Sequence, residues 1–271
     1  MKTRIIAAAV LVPVLLLMVL VVDKVIAAVV MGLILAIAAY ELLYRTRLVM
    51  RPRLVIYSVV MAFAISLWSY FESVHAYFLL MLMAFFMLMF MEIMLDHVKI
   101  RIEMIGLCFI AGVIIPYMLT ALVRILAMNL GRYYILLPFT VAFMSDAGAY
   151  FVGMKFGRHK LAPVVSPNKT IEGVLGGLGG AMIGMLIYAI VLAWPLKFEV
   201  NFGIALLYGV IGSFAGTFGD LCFSVIKRQT GIKDYGNLIP RHGGALDRFD
   251  SLVLVAPLVE ALLLILPIIN V

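Results

Sequence analysis

Nine runs of 17 to 24 residues consist almost wholly of apolar side chains: residues 5–22, 25–43, 54–70, 77–95, 105–123, 134–152, 174–194, 202–225 and 252–269. A helix rises about 1.5 Å per residue, so about 20 such residues cross the roughly 30 Å of bilayer hydrocarbon. Of the 271 residues 66% are hydrophobic and 13% charged, against about 45–50% and about 25% in soluble domains. No soluble core could absorb that apolar surface. The pattern predicts an all-α, polytopic integral membrane protein with about nine transmembrane helices. The run at 5–22 follows Lys2 and Arg4 but leads to no small-residue cleavage site, so it reads as the first span. Only Asp23-Lys24 separates it from the second, which makes the two an antiparallel hairpin.

The loops set the orientation. With the N-terminus cytoplasmic and the C-terminus on the opposite side, 17 of the 21 Lys and Arg residues fall in cytoplasmic segments. Only Lys24, Arg124, Arg132 and Lys197 fall outside. Such a bias is the usual mark of the cytoplasmic side. It accounts for the net charge of +7 without nucleic acid. Cys108 and Cys222 both sit in apolar runs and suggest neither a disulfide framework nor a thiolate metal site. Spans one to three hold a single acid, Glu41, near an end, whereas Glu92, Asp146, Asp220 and Glu260 come later. The division expected is therefore a scaffold over 1–100 and a catalytic membrane region over 101–271.

The polar exception to this oily chain is 219–250, with five Lys or Arg residues, four acids and a Pro-Arg-His-Gly-Gly turn. Asp220, Ser224 and Lys227 lie at i, i+4 and i+7, one helix face, with Arg228 adjacent. A carboxylate within a span normally faces a cavity or a partner. A simple ion pair of Asp220 with Lys227 or Arg228 is the plainer reading, but the segment carries too many further polar groups for that alone. Lys233 and Asp234 follow in a loop with Gly231 and Gly236. Then come His242, Gly243 and Gly244, whose backbone N–H groups could form a concavity for phosphate ahead of a helix N-terminus. Asp247 and Asp250 share a face at i, i+3, with Arg248 between them. Carboxylates on that face, opposite Asp220, make an all-oxygen set suited to Mg²⁺.

A second constellation joins spans six and seven: Ser145-Asp146-x-Gly148-Ala149-Tyr150, then Ser166-Pro167-x-Lys169-Thr170-x-Glu172-Gly173. Lys169 and Thr170 at a helix start suit a phosphate contact and a cap, although Lys169 also serves as a positive-inside signal. Gly173, Gly176, Gly177, Gly179 and Gly180 would let span seven approach a neighbour closely. Glu92, Asp96 and His97 either end span four or border the cavity.

Together these motifs resemble the phosphatidate cytidylyltransferases, the CDP-diacylglycerol synthases. The matching residues are Ser224-x-x-Lys227-Arg228, Lys233-Asp234, His242-Gly243-Gly244-x-x-Asp247-Arg248-x-Asp250 and the two upstream segments, over about 146–250. One departure is Ala245, where the family usually has a larger aliphatic residue. The resemblance implies that CTP and phosphatidate give CDP-diacylglycerol and pyrophosphate, with Mg²⁺ as cofactor; another divalent ion or an added monovalent ion remains compatible. It implies Asp220, Lys227, Arg228, Asp247 and Arg248 as catalytic residues and Asp220, Asp247 and Asp250 as metal ligands. Asp146, Ser166, Lys169, Thr170, Glu172, Ser224, Lys233, Asp234, His242, Gly243 and Gly244 would bind substrate. The implied partners are CTP, phosphatidate and the bilayer, with a homodimer left open. The location is a bacterial plasma membrane, with the site facing the cytoplasm. A CTP-dependent lipid-alcohol kinase is the enzymatic alternative, distinguished by its need for a base. A secondary transporter is the distant one, disfavoured because the acids lie toward helix ends beside basic loops.

Overall fold

Asp23 accepts a hydrogen bond from the Val25 N–H (2.9 Å) and so caps the first helix of the described chain. The computed structural model describes residues 23–71, 75–236 and 243–269. The predicted first span at 5–22 and His242 lie outside them. Helix α1 (Lys24–Tyr40) runs on into a π-helical turn at Glu41–Arg45. Then come α2 (Pro52–Phe71) and α3 (His75–Leu95). The fifth predicted span is assembled from pieces: α4 (Ile102–Phe109), a π turn at Ile110–Ile114, α5 (Ile115–Leu119) and α6 (Ala121–Ala127). Short α7 (Gly131–Tyr134) leads into α8 (Leu136–Phe156), followed by α9 (Ile171–Ala193) and α10 (Phe202–Gln229). The chain closes with α11 (Leu246–Phe249) and α12 (Leu252–Ile265).

Among the described residues, seven helical stretches are long and apolar enough to cross a membrane: Lys24–Arg45, Pro52–Phe71, Ala76–Leu95, Ile102–Ala127, Gly131–Phe156, Ile171–Ala193 and Phe202–Gln229. The protein is a polytopic helical membrane protein. The run at 252–269 forms a helix of only 14 residues, because Leu266 leaves the helical region (φ −135°, ψ 72°). The loop before α9 also differs from a purely helical expectation. It folds into a small antiparallel hairpin, β1 (Lys160–Ala162) with β2 (Ser166–Thr170).

Helix ends are tied in pairs. Lys24 Nζ donates to the Ala127 carbonyl (3.2 Å), and Tyr188 OH to the Tyr133 carbonyl (2.9 Å). Helix α3 sits at the edge, with Leu79, Met83, Met87 and Met94 exposed, as expected of side chains that face lipid.

The most extensive helix pair is α8 with α9. A Cβ placed on Gly148 would strike the Gly176 carbonyl oxygen and lie 3.1 Å from Gly180 Cα; one on Gly177 would lie 3.0 Å from the Ser145 carbonyl. The backbones therefore touch where the sequence places small residues, the usual way to join helices when lipid is the competing solvent. Gly179 is the exception, facing open space. Gly148→Ala is expected to destabilise the fold by about 1–3 kcal/mol, as overpacking does, while Gly179→Ala leaves it unchanged. Thermal unfolding of the two variants in detergent measures the contrast.

Candidate active site

The close α8–α9 approach carries the segment just before α9 over α10. Lys169, near the end of β2, reaches Asp220 on α10, with Nζ to Oδ2 at 2.5 Å, and donates to the Thr217 carbonyl at 3.3 Å. Asp146, midway along α8, stands within electrostatic reach of both Asp220 and Lys169. One residue before it, Ser145 shares a buried 2.8 Å hydrogen bond with Ser213 of α10, which fixes the register of the two helices. Thr170 is the α9 N-cap, its hydroxyl accepting from the Gly173 N–H at 3.1 Å. The cap half of its predicted role is thus in place. Asp220 pairs with Lys169 rather than with Lys227 or Arg228.

Asp250, just past α11, faces the same centre. Burial pushes its carboxyl above the usual range; the Asp220 charge adds to this, Lys227 and the Ser251 N–H oppose it, and Asp146 adds a smaller push. Three carboxylates from three elements, Asp146, Asp220 and Asp250, thus gather with Lys169 and Lys227. A carboxyl whose folded pKa is raised supports stability below its unfolded value near 4 and loses that contribution as pH rises through the folded value. Asp250→Asn is therefore expected to melt higher than the parent at pH 8, with the difference vanishing near pH 4. Melting curves at the two pH values are the check.

Asp247 is held by bonds of its own. Its Oδ1 accepts from Lys227 Nζ at 3.0 Å, and its Oδ2 from the backbone N–H groups of Tyr235 (2.8 Å) and Gly244 (2.9 Å). The side chain is only 4% exposed. Tyr235, itself buried, donates its hydroxyl to the Phe223 carbonyl at 2.8 Å and anchors the loop to α10. Asp247 is thus held by Lys227 and two backbone N–H groups, while Asp250 stands within electrostatic reach of Asp220.

The Gly243-Gly244 turn also differs from expectation. Gly243 adopts φ +85°, the left-handed region that suits glycine. The N–H groups after it, however, are taken by the protein's own acids: Gly244 donates to Asp247, and Ala245 and Leu246 donate to Glu41 (3.2 and 3.1 Å). These three N–H groups are satisfied within the chain.

The remaining predicted residues have varied places. Ser224 is buried on α10, and Ser166 opens β2. Arg228 Nε donates to the Val165 carbonyl at 3.0 Å and links α10 to the hairpin. Glu172 accepts from the N–H groups of Arg158 and His159 and lies 2.6 Å from His159 Nδ1, so it shapes the turn before β1. Lys233, Asp234 and Arg248 are exposed around the same end. Glu92 pairs with Tyr57 (3.2 Å) and Arg53 (3.7 Å), which ties α3 to α2, and Asp96 pairs locally with Lys99 (3.8 Å). Among the described residues, no three His, Cys, Asp or Glu side chains are disposed to hold a metal ion by themselves.

Comparison with known proteins meets this geometry. The model of the Cytidylyltransferase family matches residues 2–266. The chain belongs to this family. Among its relatives, a protein of Staphylococcus haemolyticus named phosphatidate cytidylyltransferase is 48% identical over 134 residues, 49% of this chain and 50% of the relative. Proteins of the same name from Staphylococcus saprophyticus and Staphylococcus aureus are each 46% identical over 134 residues, with the same coverage. The chain spans about half the length of the relatives it matches. Family membership bears out the resemblance carried by the motifs between residues 146 and 250.

Glu41 is the site neighbour that sequence reasoning passed over. It was visible only as one acid near a span end, and no local pattern tied it to residues more than 200 positions away.

Proposed function

We propose that the protein is a phosphatidate cytidylyltransferase, joining CTP and phosphatidate into CDP-diacylglycerol with release of pyrophosphate. The observation that carries this reading is the gathering of Asp146, Asp220 and Asp250 with Lys169 and Lys227 where α8, α10 and the segment after α11 meet. The nucleophile in such a reaction is a phosphate oxygen, ionised at neutral pH, so no general base is required. The task is to bring highly charged phosphates together and to neutralise the charge that develops on pyrophosphate, which positioned cations perform. Lys169 and Lys227 now neutralise Asp220 and Asp247; on substrate binding each ammonium exchanges its carboxylate for a phosphate. Arg228, Lys233 and Arg248 supply further positive charge at the mouth.

The donor set fits Mg²⁺. This ion prefers hard oxygen and usually takes one or two protein carboxylates with the rest from water and substrate phosphates. Asp220 and Asp250 would hold it, with Asp146 beside them, whereas Asp247 already accepts three hydrogen bonds. When bound, the ion supplies charge neutralisation at the phosphates. The basic end of the bundle, with Arg45, Arg51, Arg53, Lys99, Arg101, Lys155 and Arg158, would face the cytoplasm, where CTP is found.

The test is product analysis. Purified protein in phospholipid nanodiscs, given CTP, phosphatidate and MgCl₂, is expected to release CDP-diacylglycerol and pyrophosphate in equal amounts, and to stop on adding EDTA. CDP and a phosphorylated lipid made from a lipid alcohol would instead establish the kinase reading. Inverted membrane vesicles should turn over external CTP while right-side-out vesicles do not.

A further inference from the structure

The buried carboxylate of Glu41 holds the catalytic segment from the other half of the chain. It stands on the π-helical turn Glu41–Arg45 at the end of α1, with 4% of its surface exposed. Single π turns within helices re-aim a side chain, and they are frequent at functional sites. Here Glu41 Oε1 accepts from the Ala245 N–H at 3.2 Å and Oε2 from the Leu246 N–H at 3.1 Å. Two glycines close around the carboxylate. A Cβ on either Gly236 or Gly244 would run into it. Gly236 and Gly244, eight positions apart, thus both stand against Glu41. On the far side of the same turn, Asp247 takes the Gly244 and Tyr235 N–H groups. Two acids, one local and one 204 residues distant in sequence, therefore share the N–H groups that open α11.

An acid this buried beside another acid is costly to keep in a membrane protein for packing alone. Arg45 and Asp247 are the charged groups that face it. Among the described residues, the hydrogen bonds of Glu41 go to backbone N–H groups. Their effect is to hold the rotation and depth of α11. Just past those amides, Asp247 accepts from Lys227, and three residues on the Asp250 backbone lies against Gly219, the neighbour of Asp220, where a Cβ would come within 2.8 Å of the Asp250 carbonyl oxygen.

We infer that Glu41 is a positioning residue: through the Ala245 and Leu246 amides it fixes α11 so that Asp250 meets Asp220. The role in turnover rests on the cytidylyltransferase reading. The inference deepens that reading by placing a residue of the first hundred in control of the carboxylate pair.

The experiment compares Glu41→Gln, Glu41→Ala and Glu41→Asp with the parent in nanodiscs. Hydrogen–deuterium exchange of peptides covering 243–250 reports the anchoring whether or not the protein turns over CTP. The expected result is faster exchange in Glu41→Ala and, to a lesser degree, in Glu41→Gln, with the rest of the bundle unchanged. In the activity assay, kcat at saturating CTP should fall at least tenfold in Glu41→Ala. The Mg²⁺ concentration giving half-maximal rate should rise severalfold, and Glu41→Asp should recover part of both. A purely structural role would lower melting temperature and yield of active protein but leave the Mg²⁺ requirement of the surviving enzyme at the parent value; that outcome overturns the inference. So does parental exchange at 243–250 in Glu41→Ala. Should the parent make no CDP-lipid while the exchange pattern appears as expected, the proposed reaction fails and the anchoring by Glu41 stands.

Discussion

Turnover in the Asp220→Asn variant is expected to fall by about two to three orders of magnitude, the usual loss when a group that holds a catalytic charge is removed. The amide keeps the size of the side chain, so melting should change little. The geometry gives the prediction a second readout. Asp220 is joined to Lys169 at 2.5 Å, with both side chains partly accessible, 31% and 24%. If Lys169 passes from Asp220 to a phosphate, the two residues act as one unit, and removing both should cost little more than removing one. The variants Asp220→Asn, Lys169→Ala and their combination, compared by kcat/KM for CTP, close that cycle. Fully multiplicative losses would mean that the two residues act independently. Unchanged turnover in Asp220→Asn alone would remove Asp220 from the chemistry.

The second large effect lies at the opposite end of the bundle and concerns stability. Arg124 on α6 meets Glu260 on α12 through two short contacts, Nε to Oε1 at 2.5 Å and Nη2 to Oε2 at 2.7 Å. The guanidinium also donates to Thr120 Oγ1 (3.0 Å) and the Tyr117 carbonyl (3.2 Å), reaches Ser69 Oγ of α2, and lies 4.6 Å from the centre of the Tyr117 ring. The side chains are only 9% and 15% exposed. Breaking a buried pair by removing one partner strands a charge and typically costs about 3–5 kcal/mol, whereas replacing both with apolar groups is often nearly neutral. Arg124→Leu and Glu260→Gln should each sharply lower the melting temperature in detergent. The Arg124→Leu, Glu260→Leu double variant should regain most of the loss. A double variant as unstable as the singles would show that Arg124 acts through Tyr117, Thr120 and Ser69 rather than through Glu260.

Glu260 illustrates what was hidden in the sequence. It reads there as an isolated acid in an apolar run, and Arg124 as one of four cations on the side opposite the basic loops. Their partnership spans 136 residues and has no local signature. Glu41 is a stronger case, since its partners are backbone amides, which any residue type supplies. By contrast, the Thr170 cap and the glycine-lined contact of α9 were legible. The first rests on neighbours within a helix turn and the second on residue size, and both are written directly in residue order. The Gly243-Gly244 turn was half legible. Glycine at a left-handed position could be foreseen, but not that Asp247 and Glu41 would fill the N–H groups beyond it.

The choice between Asp247 and Asp250 marks the boundary most sharply. At i and i+3 they share a face of an ideal helix, and on that ground both were expected beside Asp220. In the folded chain α11 is one turn long, from Leu246 to Phe249, with Asp250 at its edge. One turn has too little periodicity to aim two side chains; external bonds from Tyr235, Gly244 and Glu41 do so instead. The sequence by itself determined that the chain lives in a bilayer, because runs of about 20 apolar residues have no other stable solvent. It also determined the family, and the inventory of acids, cations and glycines at one end of the bundle. Only the tertiary structure decided which acid meets which cation. That choice depends on the relative rotation and depth of packed helices. Those are set by contacts between residues far apart in the chain, and no local pattern records them.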